Sequence, residues 1–158
     1  MHPDLDRLDH AILSLLQSDA RTIAETIGAK VGLSAAAVQR RIKRLREAGV
    51  IEREVAVLDP AALGMPMTFI VMVEMERERL EVLDAFRKQV QAEEHVQQCY
   101  YVTGSADFVL VVTCRDMSEF EAFTHRMFFN NGEVRHFTTS VAMERVKVGL
   151  TLPLDQQR

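Results

Sequence analysis

Apolar positions in the first third of the chain recur at helical spacing. Leu5, Leu8, Ile12, Leu15 and Leu16 share one side of a helix read over residues 4–17, with Asp4 before it as a candidate N-cap. A second stretch, Ser34 to Val50, places Val38, Ile42 and Leu45 at i, i+4 and i+7. Ser34 can cap its first turn and Gly49 can end it in a left-handed conformation. Just upstream, Ile23 to Lys30 reads as a third short helix, and Thr22 and Glu25 have the capping-box spacing. The link between these two is Val31-Gly32-Leu33, and a short glycine-containing turn between short helices is the helix-turn-helix signature. Gly28 lets the first helix of the pair approach the second closely, and Ala35, Ala36 and Ala37 keep the entering end of the second slim.

Beyond this the rhythm changes. Residues 52–58 show a partial period of two and are read as the wing, or linker strand, of a winged helix, ended by Asp59-Pro60. Residues 61–66 (AALGMP) form a connector. There follow a strand over Met67–Met75, a charged loop, and a helix over Leu80–Ala92 with Leu80, Leu83, Phe86 and Val90 inward. Next come strands over Val96–Thr103 and Asp107–Cys114 joined at Gly104-Ser105, a helix over Met117–Phe129 with Phe120, Phe123, Met127 and Phe128 inward, and a strand over Arg135–Val148. The expected fold is α+β. An N-terminal winged helix-turn-helix domain (1–60) is followed by the connector and a C-terminal ferredoxin-like βαββαβ domain with an antiparallel sheet (67–158).

Two of these strands do not alternate. Phe69-Ile70-Val71-Met72-Val73 and Phe108-Val109-Leu110-Val111-Val112 are apolar on both faces, while two helices cover only one. The other face calls for a cover, and a second copy of the chain is the favoured one, making a homodimer. The N-terminal domain is the competing cover.

Charge sharpens the reading of the second helix of the pair. The 158-residue chain is formally −4, yet residues 34–48 hold five basic side chains against one acid, a formal +4. A compact positive face on an acidic protein points to double-stranded DNA. Arg40, Lys43 and Arg44 are placed to reach phosphates or guanine edges, Gln39 to read a base, and Ser34 with the helix N-terminus to hold a phosphate. Ala36 belongs to the slim entering end. Arg41 and Arg46 flank the apolar stripe and lie along the domain surface.

Other chemistry is sparse. The five histidines and two cysteines make no metal-ligand spacing, so neither a metal nor a cofactor is expected. A hairpin at Gly104-Ser105 pairs Cys99 near Leu110 or Val111 rather than with Cys114, so two free thiols in a reducing compartment are expected. No nucleophile–base pair or phosphate-cradling loop points to an enzyme. The longest apolar runs fall far short of a membrane span, and no leader segment is evident, so a soluble cytoplasmic protein is expected.

With these residues in place the chain resembles the Lrp/AsnC (leucine-responsive, or feast/famine) family of transcription regulators. The resemblance rests on Leu5-Asp6-Arg7-Leu8-Asp9 with Ile12-Leu13, on Ala20-Arg21, Val31-Gly32-Leu33-Ser34, Arg41-Ile42-Lys43-Arg44-Leu45 and Gly49-Val50-Ile51. It continues through Leu58-Asp59-Pro60 with Leu63-Gly64, Gly104-Ser105-Ala106-Asp107-Phe108, Thr138-Thr139-Ser140, Val146-Lys147 and Leu152-Pro153-Leu154. Two departures are Ile23, where the family often carries a polar cap, so that Thr22 is expected to cap, and Phe128-Phe129-Asn130-Asn131-Gly132 before the last strand.

The resemblance implies a regulator that binds promoter DNA, forms dimers that associate into an octamer of four dimers, and senses an amino acid or similar metabolite at a dimer–dimer contact. Carried onto this chain, the effector residues are Gly104, Ser105, Ala106, Asp107 and Phe108, with Thr138, Thr139 and Ser140 facing them. Asp107 suits an ammonium, and turn N–H groups with hydroxyls suit a carboxylate. Each also has a plain structural role in a turn or a strand. The alternatives to a specific regulator are a small-molecule sensor, or an architectural protein that wraps DNA with little sequence demand.

Overall fold

The computed structural model describes residues 4–77 and 79–154. These fall into two compact units: the described residues up to Ala56 together with those from Lys147 on, and Val57–Val146.

The first unit is built on three helices, α1 (Arg7–Ser18), α2 (Ala24–Val31) and α3 (Ala35–Glu47). Ile12, Leu16, Ala24, Ile27, Val38 and Ile42 form its buried core, and Leu45 is buried with them. The apolar stripe expected of α3 therefore faces inward, while that of α1 is buried at Ile12 and Leu16 and half-buried at Leu8 and Leu15, with Leu5 lying before the helix begins.

Two caps differ from expectation. Asp6, not Asp4, caps α1: its carboxylate accepts from the Asp9 N–H at 2.8 Å, and Asp9 accepts from the Asp6 N–H at 3.1 Å. A box started at Asp4 would need an acceptor at Arg7, which offers none. Thr22 does not cap α2. Its hydroxyl donates to the Asp19 carbonyl at 2.8 Å, closing the turn after α1, and α2 begins after Ile23 without a side-chain cap.

The α2–α3 turn follows its glycines. Gly32 has φ +74°, and the Gly28 carbonyl accepts from Gly32 and Leu33 N–H at 2.9 and 3.0 Å. A Cβ on Gly28 would collide with the Leu33 carbonyl oxygen, so this glycine is what lets the turn fold back onto α2. Ser34 accepts from the Ala37 N–H at 3.2 Å, and Gly49 (φ +71°) follows the end of α3.

The wing expected over 52–58 is not formed as a strand: residues 52–59 are exposed and carry no ladder among the described residues. A strand needs a neighbour to hydrogen-bond, and this run has none among the described residues. Near the other end, Gln17 exchanges two hydrogen bonds with the Leu152 backbone, at 2.9 and 3.0 Å.

The second unit is a four-stranded antiparallel sheet in the order β2-β3-β1-β4, the ferredoxin-like order expected from βαββαβ. Its elements are β1 (Met67–Met75), α4 (Leu80–Ala92), β2 (Val96–Tyr101), β3 (Phe108–Cys114), α5 (Met117–Thr124) and β4 (Val134–Val141). One face carries Phe69, Val71 and Val73 opposite Val112, Leu110 and Phe108, with Leu83, Phe86, Val90, Phe120, Phe123, Met127 and Phe128 in the same core. Phe69 and Phe120 stack at 3.8 Å between centroids. Cys99 pairs with Leu110, as the hairpin register requires.

Three expectations need correction here. Leu80 is 68% exposed, because it occupies the first position of α4, outside the inward stripe. The second helix does not run straight through 117–129: α5 gives way to a π-helical turn over His125–Phe129. And β4 stops at Val141 rather than Val148. Val141 pairs with Phe69 and the Ala142 N–H still reaches the Thr68 carbonyl at 2.9 Å, but β1 starts at Met67 and offers no more ladder.

Candidate functional site

α3 presents one face to its own core and the other to solvent. Ser34, Ala36, Gln39, Arg40, Lys43 and Arg44 are all exposed, while Val38, Ile42 and Leu45 are buried. Ala36, Gln39, Arg40 and Lys43 follow i, i+3, i+4 and i+7 spacing and make a single outward stripe.

Its charge is less free than the count of basic residues suggests. Asp9 is fully buried, and it takes Arg41 Nη1 at 2.8 Å and also Arg44 Nη2. Arg41 also reaches Asp6 at 2.7 Å. Arg46 pairs with Glu54 at 2.8 Å, and Lys43 lies 3.7 Å from Glu47. Only Arg40 of the five cations has no ion-pair partner among the described residues. Arg44, placed at the DNA face by sequence, thus also ties α3 to α1, and Arg41, expected along the domain surface, is instead half-buried against Asp9.

The same contacts set the charges. The Asp9 N–H, and then Arg41, hold the Asp6 carboxyl below its usual value. Asp6 and Asp9 in turn push Arg41 up. The sequence did carry a signal for this network: Asp9 stands on the apolar stripe of α1, three before Ile12 and seven before Leu16, where an acid must find a partner.

The residues assigned to an effector split into structural and open ones. Gly104 has φ +123° and turns the β2–β3 hairpin. Ser105 is exposed and Ala106 half-buried. Asp107 gives one carboxylate oxygen to the Met75 N–H at 2.7 Å, while its own N–H donates to the Val73 carbonyl at 2.9 Å. Phe108 is core, packed against Phe86 and Tyr101. Thr138 and Ser140 stand exposed on the helix-free face of the sheet, and Thr139 turns to the other face with a buried hydroxyl that has no hydrogen-bond partner among the described residues. Within one chain Thr138–Ser140 do not face the loop, because β1 lies between β3 and β4 and separates them by roughly 10 Å.

Two clefts open on the second unit. One, of about 470 Å³, lies between α4 and the 130–133 loop, lined by Met75, Gln89, Arg126 and Asn131 among others. The other, of about 490 Å³, has an apolar wall (Leu58, Pro60, Leu63, Met65) and a polar one (His95, Thr113, Arg115, Glu119). Beside the second sits a group that sequence spacing did not reveal: the donor atoms of His95, Cys114 and Glu119 lie within 4.8 Å of one another. They come from three separate elements, so no linear motif records them. Arg115, through side-chain and backbone hydrogen bonds, holds the Glu119 carboxyl down to about 2. Burial pulls His95 down, but Glu93 and Glu119 more than offset it and raise it overall. Burial, with Glu119, pushes the Cys114 thiol up to about 11.

Comparison with known proteins adds to this geometry. Residues 5–46 match the family model of the AsnC-type helix-turn-helix domain, and residues 68–152 that of the Lrp/AsnC ligand binding domain. The chain is 47% identical over 152 residues to an uncharacterized helix-turn-helix-type transcriptional regulator of Sinorhizobium fredii, covering 96% of this chain and 90% of that protein. It is 33% identical to the leucine-responsive regulatory protein of Klebsiella pneumoniae over 91% of this chain and 88% of the relative. An AsnC family transcriptional regulator from Agrobacterium tumefaciens superposes with a TM-score of 0.90 at 35% identity, covering 98% of this chain and 100% of the other. A Neisseria meningitidis transcriptional regulator solved with L-Met superposes at 0.89 and 26% identity, over 96% and 98%.

Proposed function

The chain belongs to the Lrp/AsnC family of transcriptional regulators, and from that premise we propose that it binds promoter DNA as a symmetric homodimer and answers to an amino acid or a related metabolite. The observation that carries the DNA reading is α3: its apolar stripe is buried while Ser34, Ala36, Gln39, Arg40 and Lys43 form a continuous outward stripe. In this reading the slim Ala36 end enters the major groove. Gln39 meets a base edge, Arg40 and Lys43 meet phosphates or guanine, and the Ser34 end of the helix, with its free N–H groups, holds a backbone phosphate. Arg44 has a double duty, since its guanidinium is half exposed while bound to Asp9. The protein is a cytoplasmic regulator and not an enzyme in this proposal.

The ligand-binding family model over 68–152 and the L-Met complex of the Neisseria relative support an amino-acid effector. The candidate contacts are the free Asp107 oxygen, the N–H groups of the Gly104–Ala106 turn, and the exposed Thr138 and Ser140 hydroxyls. Because loop and strand are apart within one chain, a ligand that touches both needs a second copy. That requirement fits assembly of dimers into an octamer of four dimers.

The test is selection of bound fragments from sheared genomic DNA at about 0.15 M salt, where diffuse surface charge is screened, with and without an amino-acid pool. A two-fold-symmetric enriched site is expected, and its occupancy should change with the pool. Enrichment without sequence preference would replace this reading with an architectural one. No enrichment in either arm would leave a sensor without DNA activity.

A further inference from the structure

One corner of the second unit gathers metal-binding donors, at the end of the β2–β3 pair opposite the Gly104 turn. His95 stands just before β2, and its carbonyl accepts from the Thr113 N–H at 3.0 Å. Cys114 ends β3 and is fully buried. Glu119 lies in the first turn of α5. Their donor atoms come within 4.8 Å of one another.

The histidine is already oriented for a ligand role. His95 Nδ1 is 2.8 Å from a Glu93 oxygen, and Glu93 is itself held by Arg126 at 3.1 Å. A proton on Nδ1 directed at that carboxylate leaves the Nε2 lone pair turned toward Glu119, 3.4 Å away. A carboxylate behind a histidine is the outer-shell arrangement that fixes tautomer and ring orientation in metal sites. Ion pairing accounts for Glu93, Glu119 and His95 without a metal. It does not account for a thiol at the fourth corner, where any apolar side chain would pack as well.

We propose that His95 Nε2, Cys114 Sγ and a Glu119 oxygen bind one zinc ion, with a water from the adjoining cleft in the fourth position. A thiolate with an imidazole and one carboxylate selects Zn(II), or Co(II) as its spectroscopic substitute, over Mg(II) or Ca(II). Zinc bonds of about 2.0–2.3 Å set tetrahedral donors roughly 3.3–3.8 Å apart, so the cluster tightens by at most about 1 Å. The Glu119 oxygen already stands 3.4 Å from His95 Nε2, and it is released for the ion by Arg115, whose side chain is 69% exposed and finds water instead. Binding forms a Zn–S bond and releases the Cys114 proton to solvent. The ion would join the start of β2, the end of β3 and the first turn of α5, the helix that delivers Phe120 and Phe123 to the core.

The experiment is titration of the untagged, reduced full-length chain with Co(II), followed by Zn(II). One Co(II) per chain is expected, with a thiolate-to-cobalt charge-transfer band that Zn(II) abolishes, and a zinc-dependent rise in melting temperature that a chelator reverses. Cys114→Ala and His95→Gln should lose the band, Glu93→Gln should weaken binding about 10- to 100-fold, and Cys99→Ser should bind as the parent chain does. His95→Gln and Glu119→Gln, at partly exposed positions, decide the matter should Cys114→Ala fail to fold. Absence of stoichiometric metal, a bound metal with no thiolate band, or undiminished binding by His95→Gln would each overturn the proposal.

Discussion

Asp9 shows how one side chain ties the reading helix to the rest of its unit. It is an acid on an apolar stripe, fully buried, and it remains tolerable because it accepts from two guanidinium groups and one backbone N–H. Asp9→Ala should cost about 1.5–3 kcal/mol in urea unfolding, the range for hydrogen bonds to charged groups, and should free Arg44 while Arg41 keeps Asp6 as its partner. Asp6, in the same network, gives a pH signature. Its carboxyl is held below the ordinary 3.8, so its contribution is complete above that pH and is lost as pH falls through the lower folded value. Arg41, pushed up, stays charged throughout. Asp6→Asn keeps a capping oxygen and removes only the charge, so parent and variant should differ in unfolding midpoint at neutral pH and converge as pH falls from 3.8 through the lower folded value. A gap that persists in acid would place the effect in the cap rather than the charge. Arg40 is the complementary case, a cation with no ion-pair partner among the described residues. Arg40→Ala should leave stability unchanged and reduce the salt slope of DNA binding by about 1 if it meets a phosphate. An unchanged affinity and slope would remove it from the interface.

Among the elements, the α2–α3 turn concentrates the most constraint in the fewest residues. Gly28 and Gly32 are both needed there, for different reasons. At Gly28 the φ is ordinary and the obstacle is space, since a Cβ meets the Leu33 carbonyl, which is backbone and cannot swing aside. At Gly32 space is open, and the obstacle is φ +74°. Gly32→Ala should therefore cost about 1 kcal/mol, and Gly28→Ala more, up to about 3, with a visible change in the near-UV spectrum because the helices must part. Equal costs in chemical denaturation would show that the turn yields at Gly28. Features set by one element's own period were legible in the sequence: the buried stripe of α3, the bounds of β1 and α4, the inward phenylalanines of α5, the Cys99–Leu110 register. Features set by competition between neighbours were not. Whether Asp4 or Asp6 caps α1 depended on which residue has an acceptor three places on. Where β4 ends depended on where β1 begins. The missing wing depended on a partner strand, and none stands beside it among the described residues. The His95–Cys114–Glu119 cluster depended on three elements meeting, and the pairing of Arg41, Arg44 and Arg46 hid within a formal charge of +4.

For the molecule as a whole, the decisive surface is the face of the sheet that no helix of the second unit covers. Ile70 and Met72 there are 36% and 38% exposed, and their cross-strand neighbours Val111 and Val109 are half-buried. Tyr100 stands beside Val109, and Thr138 and Ser140 flank Met72 and Ile70 on the other side. The centre of this face is apolar and uncharged, with hydroxyl groups along one side. That is the composition of a sheet built to meet another surface, and water gains nothing from contact with it. A second copy applied by two-fold symmetry would set Ile70 and Met72 against the same pair of the partner, where the seam needs on the order of 800 Å² from each chain to be stable. Ile70→Glu would then place two carboxylates in an apolar seam while leaving the core on the opposite face of β1 untouched. The variant should keep its far-UV spectrum, sediment as a monomer, and lose most of its affinity for a two-half-site DNA while retaining weak binding to a single half-site, because one reading helix is left without its tethered twin. A variant that still sediments as a dimer would assign the contact to another surface and leave the apolar sheet face to a different cover.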